Sequence, residues 1–394
     1  MAVFIIQSPA SASLSQSPVV YNVSSSTDVG QPQFQYKLDL YYWTGSISNS
    51  GSTPSYTLSK YPNQALVGIF DVSRIVNSTL TSTAFENPSN TTWIKGDAYY
   101  KYFITASSTY VTSSHLQSKP TIALDGYALS PSLIDFNLLP VETYFPFLTS
   151  GPSSQSVYLE SPGELGVYKG NIAQTNIVTS VVYSGSNGSN GVYNLVTSTN
   201  TTSTQIERVP FSPGQTGFPL STLTTGHTYS IQAYSGSVSL SPKINYSIDC
   251  RKIYPNVRVM WKNKYGQFDY YNFNGVNRET FNTKTQTYQP TVGTWNSRTL
   301  SVGANESSIL NYITDTSQTI QVNTDWLDEE YNDVFKQLLV SDEIYWLYNE
   351  KTSGTDVKPL TIKTNALQFK TYVNDKQIQY TIEFELGQSY KFII

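Results

Sequence analysis

Between residues 33 and 44 the chain sets Phe34, Tyr36, Leu38, Leu40 and Tyr42 on one parity and Gln33, Gln35, Lys37 and Asp39 on the other. A period of two marks a strand with one buried face. Comparable runs, bounded by Ser, Gly, Pro or Asn clusters, predict strands over Pro18 to Val23, Tyr56 to Lys60, Gln64 to Val72 and Tyr99 to Ser107. Ile177 to Tyr183 and Val192 to Val196 read as two strands around a polar Gly/Asn/Ser tip, and Glu343 to Tyr348 as another. Near the end of the chain Ile378, Tyr380, Ile382 and Phe384 alternate with Gln379, Thr381, Glu383 and Glu385.

The period changes in two places. DVSRIVNSTL, Asp71 to Leu80, predicts a short helix with Asp71 or Ser73 at its N-cap, weakened by β-branched Val72, Ile75 and Val76. Leu327, Tyr331, Val334, Phe335, Leu338 and Leu339 form an i, i+4, i+7, i+8 stripe. They predict an amphipathic helix over 325–339, capped by Thr324 or Asp325, with Asp328, Glu329 and Glu330 in the positive first turn.

Between these helices lies the aromatic stretch VRVMWKNKYGQFDYYNF. Val257, Val259 and Trp261 share a parity before a Lys264-Tyr265-Gly266-Gln267 turn, Phe268, Tyr270 and Asn272 continue after it, and Tyr271 and Phe273 take the opposite parity. The expectation is a hairpin with Trp261 and Phe268 close to cross-strand positions, anchoring a small sheet.

Residues 119–155 show no steady period. Prolines there alternate with large apolar side chains: Leu129, Leu133, Phe136, Leu139, Tyr144, Phe145 and Phe147. A flexible linker is polar and Gly/Ser-rich, so this segment predicts an extended arm that packs on another surface. It divides an N-terminal β-sandwich (1–118) from a second β domain (156–250), and a rise in charged residues near Cys250 and Arg251 begins the C-terminal domain (251–394).

Composition sharpens the picture. Charged residues make up only 13% of the 394, and polarity is carried by hydroxyls and amides, a balance that favours pleated surfaces over helices. The fold class expected is mainly β, multidomain and sandwich-like, with a C-terminal α+β domain. A net charge of −4 without a basic run leaves no electrostatic footprint for nucleic acid or anionic lipid. The single Cys250 forms no intrachain disulfide. MAVFIIQSPASASLSQSP lacks the positive n-region of an export signal, and no apolar run approaches 18 residues.

Catalytic signatures are missing from the sequence: no G-x-S-x-G elbow, dinucleotide turn or P-loop is supported. His115 and His227 stand far apart in Ser/Thr-rich surroundings without an acidic neighbour. Cys250 has no nearby His, and the acidic group Asp325, Asp328, Glu329, Glu330 and Asp333 lacks the Gly and loop spacing of a calcium site. The expectation is a non-enzyme without cofactor or metal.

Two resemblances carry the reading further. Leu223, Gly226, Tyr229, Ile231 and Ala233 resemble the penultimate strand of fibronectin type III and immunoglobulin-like domains, where a Tyr ties a corner loop to the strand through its hydroxyl. Trp261, Asn263, Gly266, Phe268, Asp269 and Phe273 resemble a Trp-x-Asn-x-x-Gly-x-Phe-Asp-x-x-x-Phe segment in structural proteins of tailed bacteriophages, especially those of Bacteroidetes hosts such as the crAss-like group. Trp326 to Glu330, Leu338 to Tyr345, Ser8-Pro9, Pro18 to Tyr21 and Phe70 to Ile75 look similar to short motifs of the same proteins. The resemblance implies a virion component of tail, neck or ring, made in the host cytoplasm and partnered by copies of itself and other virion proteins. The residues leave a second reading open, a secreted β-sandwich that binds glycans through exposed Trp and Tyr.

Overall fold

The computed structural model of the chain describes residues 3–9, 12–27, 29–43, 53–80, 94–95, 99–110, 116–118, 121–128, 147–159, 161–168, 178–186, 190–196, 206–215, 218–220, 222–249, 254–296, 298–348, 356–369, 378–387 and 391–393. It is mainly β, built of packed sheets with two helices among the described residues.

In the N-terminal unit a three-stranded sheet (Val3–Gln7, Val20–Ser25, Val67–Asp71) faces a larger one in the order Ala12–Leu14, Thr121–Leu124, Tyr99–Ser108, Tyr36–Trp43, Tyr56–Lys60. Tyr36, Leu38 and Leu40 are fully buried between them, against Tyr21, Val23 and Phe70, as the alternation requires. The alternation slips at the strand's end, where Trp43 on the other parity is buried beside Phe103 at 5.5 Å. The short helix forms as α1, Ser73–Thr79, and the Asp71 carboxylate accepts from the Ser73 amide at 3.0 Å and the Val19 amide at 3.1 Å.

The middle unit is a sandwich. Ser154–Val157, Ile244–Ile248, Thr228–Ser235, Val178–Gly185 and Asn190–Val196 form one sheet in that order, and Glu164–Tyr168, Ile206–Pro210 and Ile94–Lys95 form the other. The succession from Ile244–Ile248 to Asn190–Val196 is the G–F–C–C′ order of immunoglobulin-like domains. Tyr229 is buried, and its hydroxyl donates to the carbonyl of Phe211, the first residue of the loop that joins Ile206–Pro210 to Thr228–Ser235, so it ties that loop to its own strand as the resemblance implies.

The arm is shorter than its composition predicts. Thr121–Leu124 is a strand of the N-terminal sheet, buried at all four positions, so the two covered faces erase any alternation. At the other end Phe147 bridges Val167 inside the middle core, and Ser154–Val157 is an edge strand of that domain. Phe147 is thus a core residue of its own chain, not a free arm contact. Leu129, Leu133, Phe136, Leu139, Tyr144 and Phe145 lie outside the described residues.

The C-terminal unit holds an antiparallel sheet in the order Phe268–Phe273, Val257–Lys262, Ile344–Tyr348, Asp356–Ile362, Thr381–Leu386, Leu310–Asn323, Arg278–Tyr288. Its helix α2 runs over Tyr331–Val340 and starts six residues later than the stripe predicts. Leu327 is committed to a reciprocal backbone pairing with Ile378 (2.8 and 3.0 Å), and the Thr324 hydroxyl accepts from the Tyr380 amide at 2.8 Å. Those β-type bonds hold residues 324–327 out of the helix, so neither Thr324 nor Asp325 caps α2. No helix among the described residues is long and apolar enough to cross a membrane.

Candidate functional site

The aromatic hairpin sits where the three units meet. Its two strands pair Trp261 with Asp269 and Lys262 with Phe268. The sequence sets Trp261 and Phe268 on one face, close to cross-strand positions, and they stand one position apart. A turn of five residues, Asn263 to Gln267, moves the register by one, and one step exchanges the faces of a strand. Trp261, Val259 and Val257 therefore share their face with Asp269, Tyr271 and Phe273, the parity the sequence reading had set apart.

That face carries the C-terminal core. Phe335 of α2 packs against Tyr271 with ring centroids 5.2 Å apart and against Tyr380 at 5.5 Å. The opposite face meets the middle sandwich. Arg258, 2% exposed, donates from Nε to the Pro162 carbonyl at 2.8 Å and from Nη1 to Asn272 Oδ1 at 2.7 Å, and its guanidinium lies 5.1 Å from the centre of the Tyr270 ring. Tyr270 meets Phe211 edge-on at 5.6 Å. Phe268 remains partly exposed, near Tyr345.

The turn is fastened from within and from outside. Asn263 is fully buried; its Oδ1 accepts from the amides of Tyr265 (2.9 Å) and Gln267 (3.1 Å), and its Nδ2 donates to the Leu148 carbonyl (3.0 Å). Gln337 of α2 accepts at Oε1 from the Lys264 amide at 3.0 Å and the Ser150 hydroxyl at 2.6 Å. Asp269 accepts from the Thr149 hydroxyl at 2.6 Å and the Ser150 amide at 3.0 Å. Burial raises the Asp269 pKa above the ordinary aspartate value, against the opposing pull of these donors and of Lys264.

The N-terminal unit docks on the tip. The Tyr127 amide donates to the Lys264 carbonyl at 2.9 Å, and Lys262 Nζ lies 2.7 Å from Asp125 Oδ2. Burial alone lowers the Lys262 pKa, but the hydrogen bond and charge of Asp125, backed by Asp342 and Glu343, hold it above the ordinary lysine value. Gly266 has φ +75°, and a Cβ there would stand 2.3 Å from the Asp125 carbonyl oxygen. Gly266→Ala is expected to cost about 2–4 kcal/mol from left-handed strain and overpacking. Its signature is early proteolytic release of the N-terminal unit; unchanged protease resistance and melting would show that the contact is dispensable.

The hairpin also begins a projection. Arg278–Tyr288 pairs residue for residue with Leu310–Asn323, with a single shift between Gln286 and Thr287. All eleven residues of Arg278–Tyr288 are exposed, and among the described residues this strand has a partner on one side only. Phe281 and Tyr288 are exposed along it, with Leu310 and Tyr312 on the return strand and Ile309 just before it. At about 3.4 Å per residue the strand is roughly 37 Å long, and on its other side the return strand pairs with Thr381–Leu386 at its base and with Lys391–Ile393 at Ile313–Asp315. Sequence reasoning missed it. The available signal was β propensity alone, in Thr280, Phe281, Thr283, Thr285, Thr287 and Tyr288.

Of the catalytic candidates, His227 is in an exposed turn where its Nδ1 accepts from the Thr224 amide at 3.2 Å, while His115 and Cys250 lie outside the described residues. No cluster of three or more His, Cys, Asp or Glu among the described residues is arranged to hold a metal ion. Scans of the sequence against protein-family models and against curated proteins return no match.

Proposed function

We propose that the chain is a non-enzymatic structural subunit of a phage virion, a component of tail, neck or ring, that joins copies of itself and other virion proteins through its ribbon and the apolar segment around residues 129–146. The observation that carries this reading is the fully exposed strand Arg278–Tyr288 with its open edge. Natural proteins blunt long edges, because the outward N–H and C=O groups template pairing with another chain. Here eleven residues of edge, interrupted by one shift between Gln286 and Thr287, are exposed along their whole length. About half of them direct their backbone groups outward, and each hydrogen bond formed there contributes about 0.5–1.5 kcal/mol net.

Heterologous contacts of this kind join one surface of a copy to a different surface of the next, the arrangement that closes rings. The junction supports it mechanically, since the ribbon's base shares a sheet with the hairpin that ties the units together.

Excising residues 282–317 and joining Phe281 to Gln318, its cross-strand partner, by a short Gly-containing turn removes seven of the eleven edge residues and spares Ile320 and Val322, which are buried in the core. The expected result is a protein that melts like the parent and is lost from purified particles, scored by quantitative mass spectrometry. Particles carrying the truncated protein in normal amount would refute the assignment.

A further inference from the structure

A cleft of ≈ 390 Å³ opens between the middle sandwich and the C-terminal sheet, distinct from the ribbon. One wall is the edge strand Ser154–Val157 with its neighbour Ile244–Ile248, and the other is Tyr270 to Asn274 with the loop from Asp325 to Tyr331. We infer that it is a binding site for a neutral saccharide, with Trp326 as the stacking platform.

Trp326 stands apart from the other tryptophans whose side chains are described. Trp43, Trp261 and Trp346 are at most 6% exposed, whereas Trp326 is 60% exposed at the cleft. Its loop is fixed. The Trp326 amide donates to its neighbour's Asp325 Oδ1 at 2.8 Å, and the next residue, Leu327, is locked to Ile378 by the reciprocal backbone bonds and is buried. A large apolar ring held outward by a rigid loop gains nothing in the core, and it supplies broad contact area at low entropy cost.

The rest of the lining fits a polyol. Asn272 is set by the bond from Arg258, and Tyr270 by the guanidinium packed against it, so these groups are ordered before any ligand arrives. Asn274 Oδ1 is buried without a hydrogen-bond partner, an acceptor suited to a hydroxyl donor. Asp325 and Asp328 place carboxylates in the same lining, and Asn245 and Ser247 add an amide and a hydroxyl from the opposite wall. A pyranose presents one face of C–H groups for an indole and vicinal hydroxyls that both donate and accept. A phosphate or sialic acid would meet the two carboxylates, and a Lys or Arg side chain would meet the Arg258 guanidinium. The volume lies within the range of small-ligand clefts.

The test is saturation-transfer NMR on the full chain with glucose, galactose, mannose, N-acetylglucosamine, lactose and maltose, with N-acetylneuraminic acid and arginine amide as charged comparisons. At least one neutral sugar is expected to receive saturation at its ring C–H protons, with millimolar affinity that falls about tenfold or more in Trp326→Ala. Trp326→Phe should retain part of it. Because Trp326 is exposed, the alanine variant keeps its melting temperature, which separates loss of the site from loss of fold. The inference is overturned if no neutral sugar in the panel binds, if Trp326→Ala binds as well as the parent, or if a charged comparison binds more tightly than every sugar. Particle incorporation of Trp326→Ala is expected to be normal, so this result and the ribbon excision fail independently.

Discussion

Trp261→Ala is expected to lower the stability of the C-terminal unit by about 3–5 kcal/mol, read as a drop in its denaturation midpoint in urea at unchanged slope. The indole is fully buried on the strand that binds the hairpin to the rest of the sheet, sharing its face with Val259, Tyr271 and Phe273 and, across the next strand, with Ile344 and Trp346. Truncation opens a cavity bounded by sheet and helix, where backbone bonds restrain collapse. One detail sets the companion experiment apart: Trp261 Nε1 is enclosed without a hydrogen-bond acceptor. An unmet buried donor costs about 1–3 kcal/mol. Trp261→Phe removes that donor while opening a smaller void, so it is expected to stay within about 1 kcal/mol of the parent. A loss below about 1 kcal/mol in Trp261→Ala would contradict the anchoring role.

Lys262→Met is expected to cost about 3–5 kcal/mol, the range for removing one partner of a buried ion pair. The Lys262 and Asp125 side chains are only 8% and 11% exposed, and without the ammonium the buried carboxylate is left with the Gln16 amide at 3.0 Å as its remaining side-chain donor. The loss reflects an uncompensated charge, not the net worth of the pair. Adding Asp125→Leu to Lys262→Met should therefore recover most of it, and a double variant as weak as the single one would refute this account. The pH dependence has a definite sign. Because the folded Lys262 pKa is raised, the pair's contribution is complete below the unfolded lysine value of about 10.4 and is lost as pH rises through the folded value. The gap between parent and Lys262→Met should be flat from about pH 7 to 10 and narrow above that.

Much of the fold was legible because most strands bury one face. The run from Phe34 to Leu40 and the alternation from Ile378 to Phe384 found their strands on this account: the apolar positions are buried, and the polar ones between them are half-buried or exposed. The failures follow the opposite conditions. Thr121–Leu124 is covered on both faces and Arg278–Tyr288 on neither, so neither shows a period of two in hydrophobicity. The helical stripe misjudged its start because Leu327 is buried by a β-bridge that supplies the same apolar position a first turn would. In the hairpin the residue types were right and the pairing was not, since loop length decides which parity meets the core. The cleft was invisible for a different reason: its walls are drawn from residues 154–157, 244–247, 270–274 and 325–331, and only folding brings them together.

The Asn263 to Gln267 turn also has a meaning in time. Asn263 and its carbonyl partner Leu148 are 115 residues apart, so on a ribosome adding about 5–20 residues each second the earlier residue waits roughly 6–23 s for the later one to be made. During that interval the middle unit is still being made, the docking surface of the N-terminal unit stays uncovered, and Asp125 is without its ammonium. Every nascent chain of a polysome carries the same uncovered surfaces within reach of its neighbours. The chain therefore keeps these surfaces open until the residues that close them have left the exit tunnel.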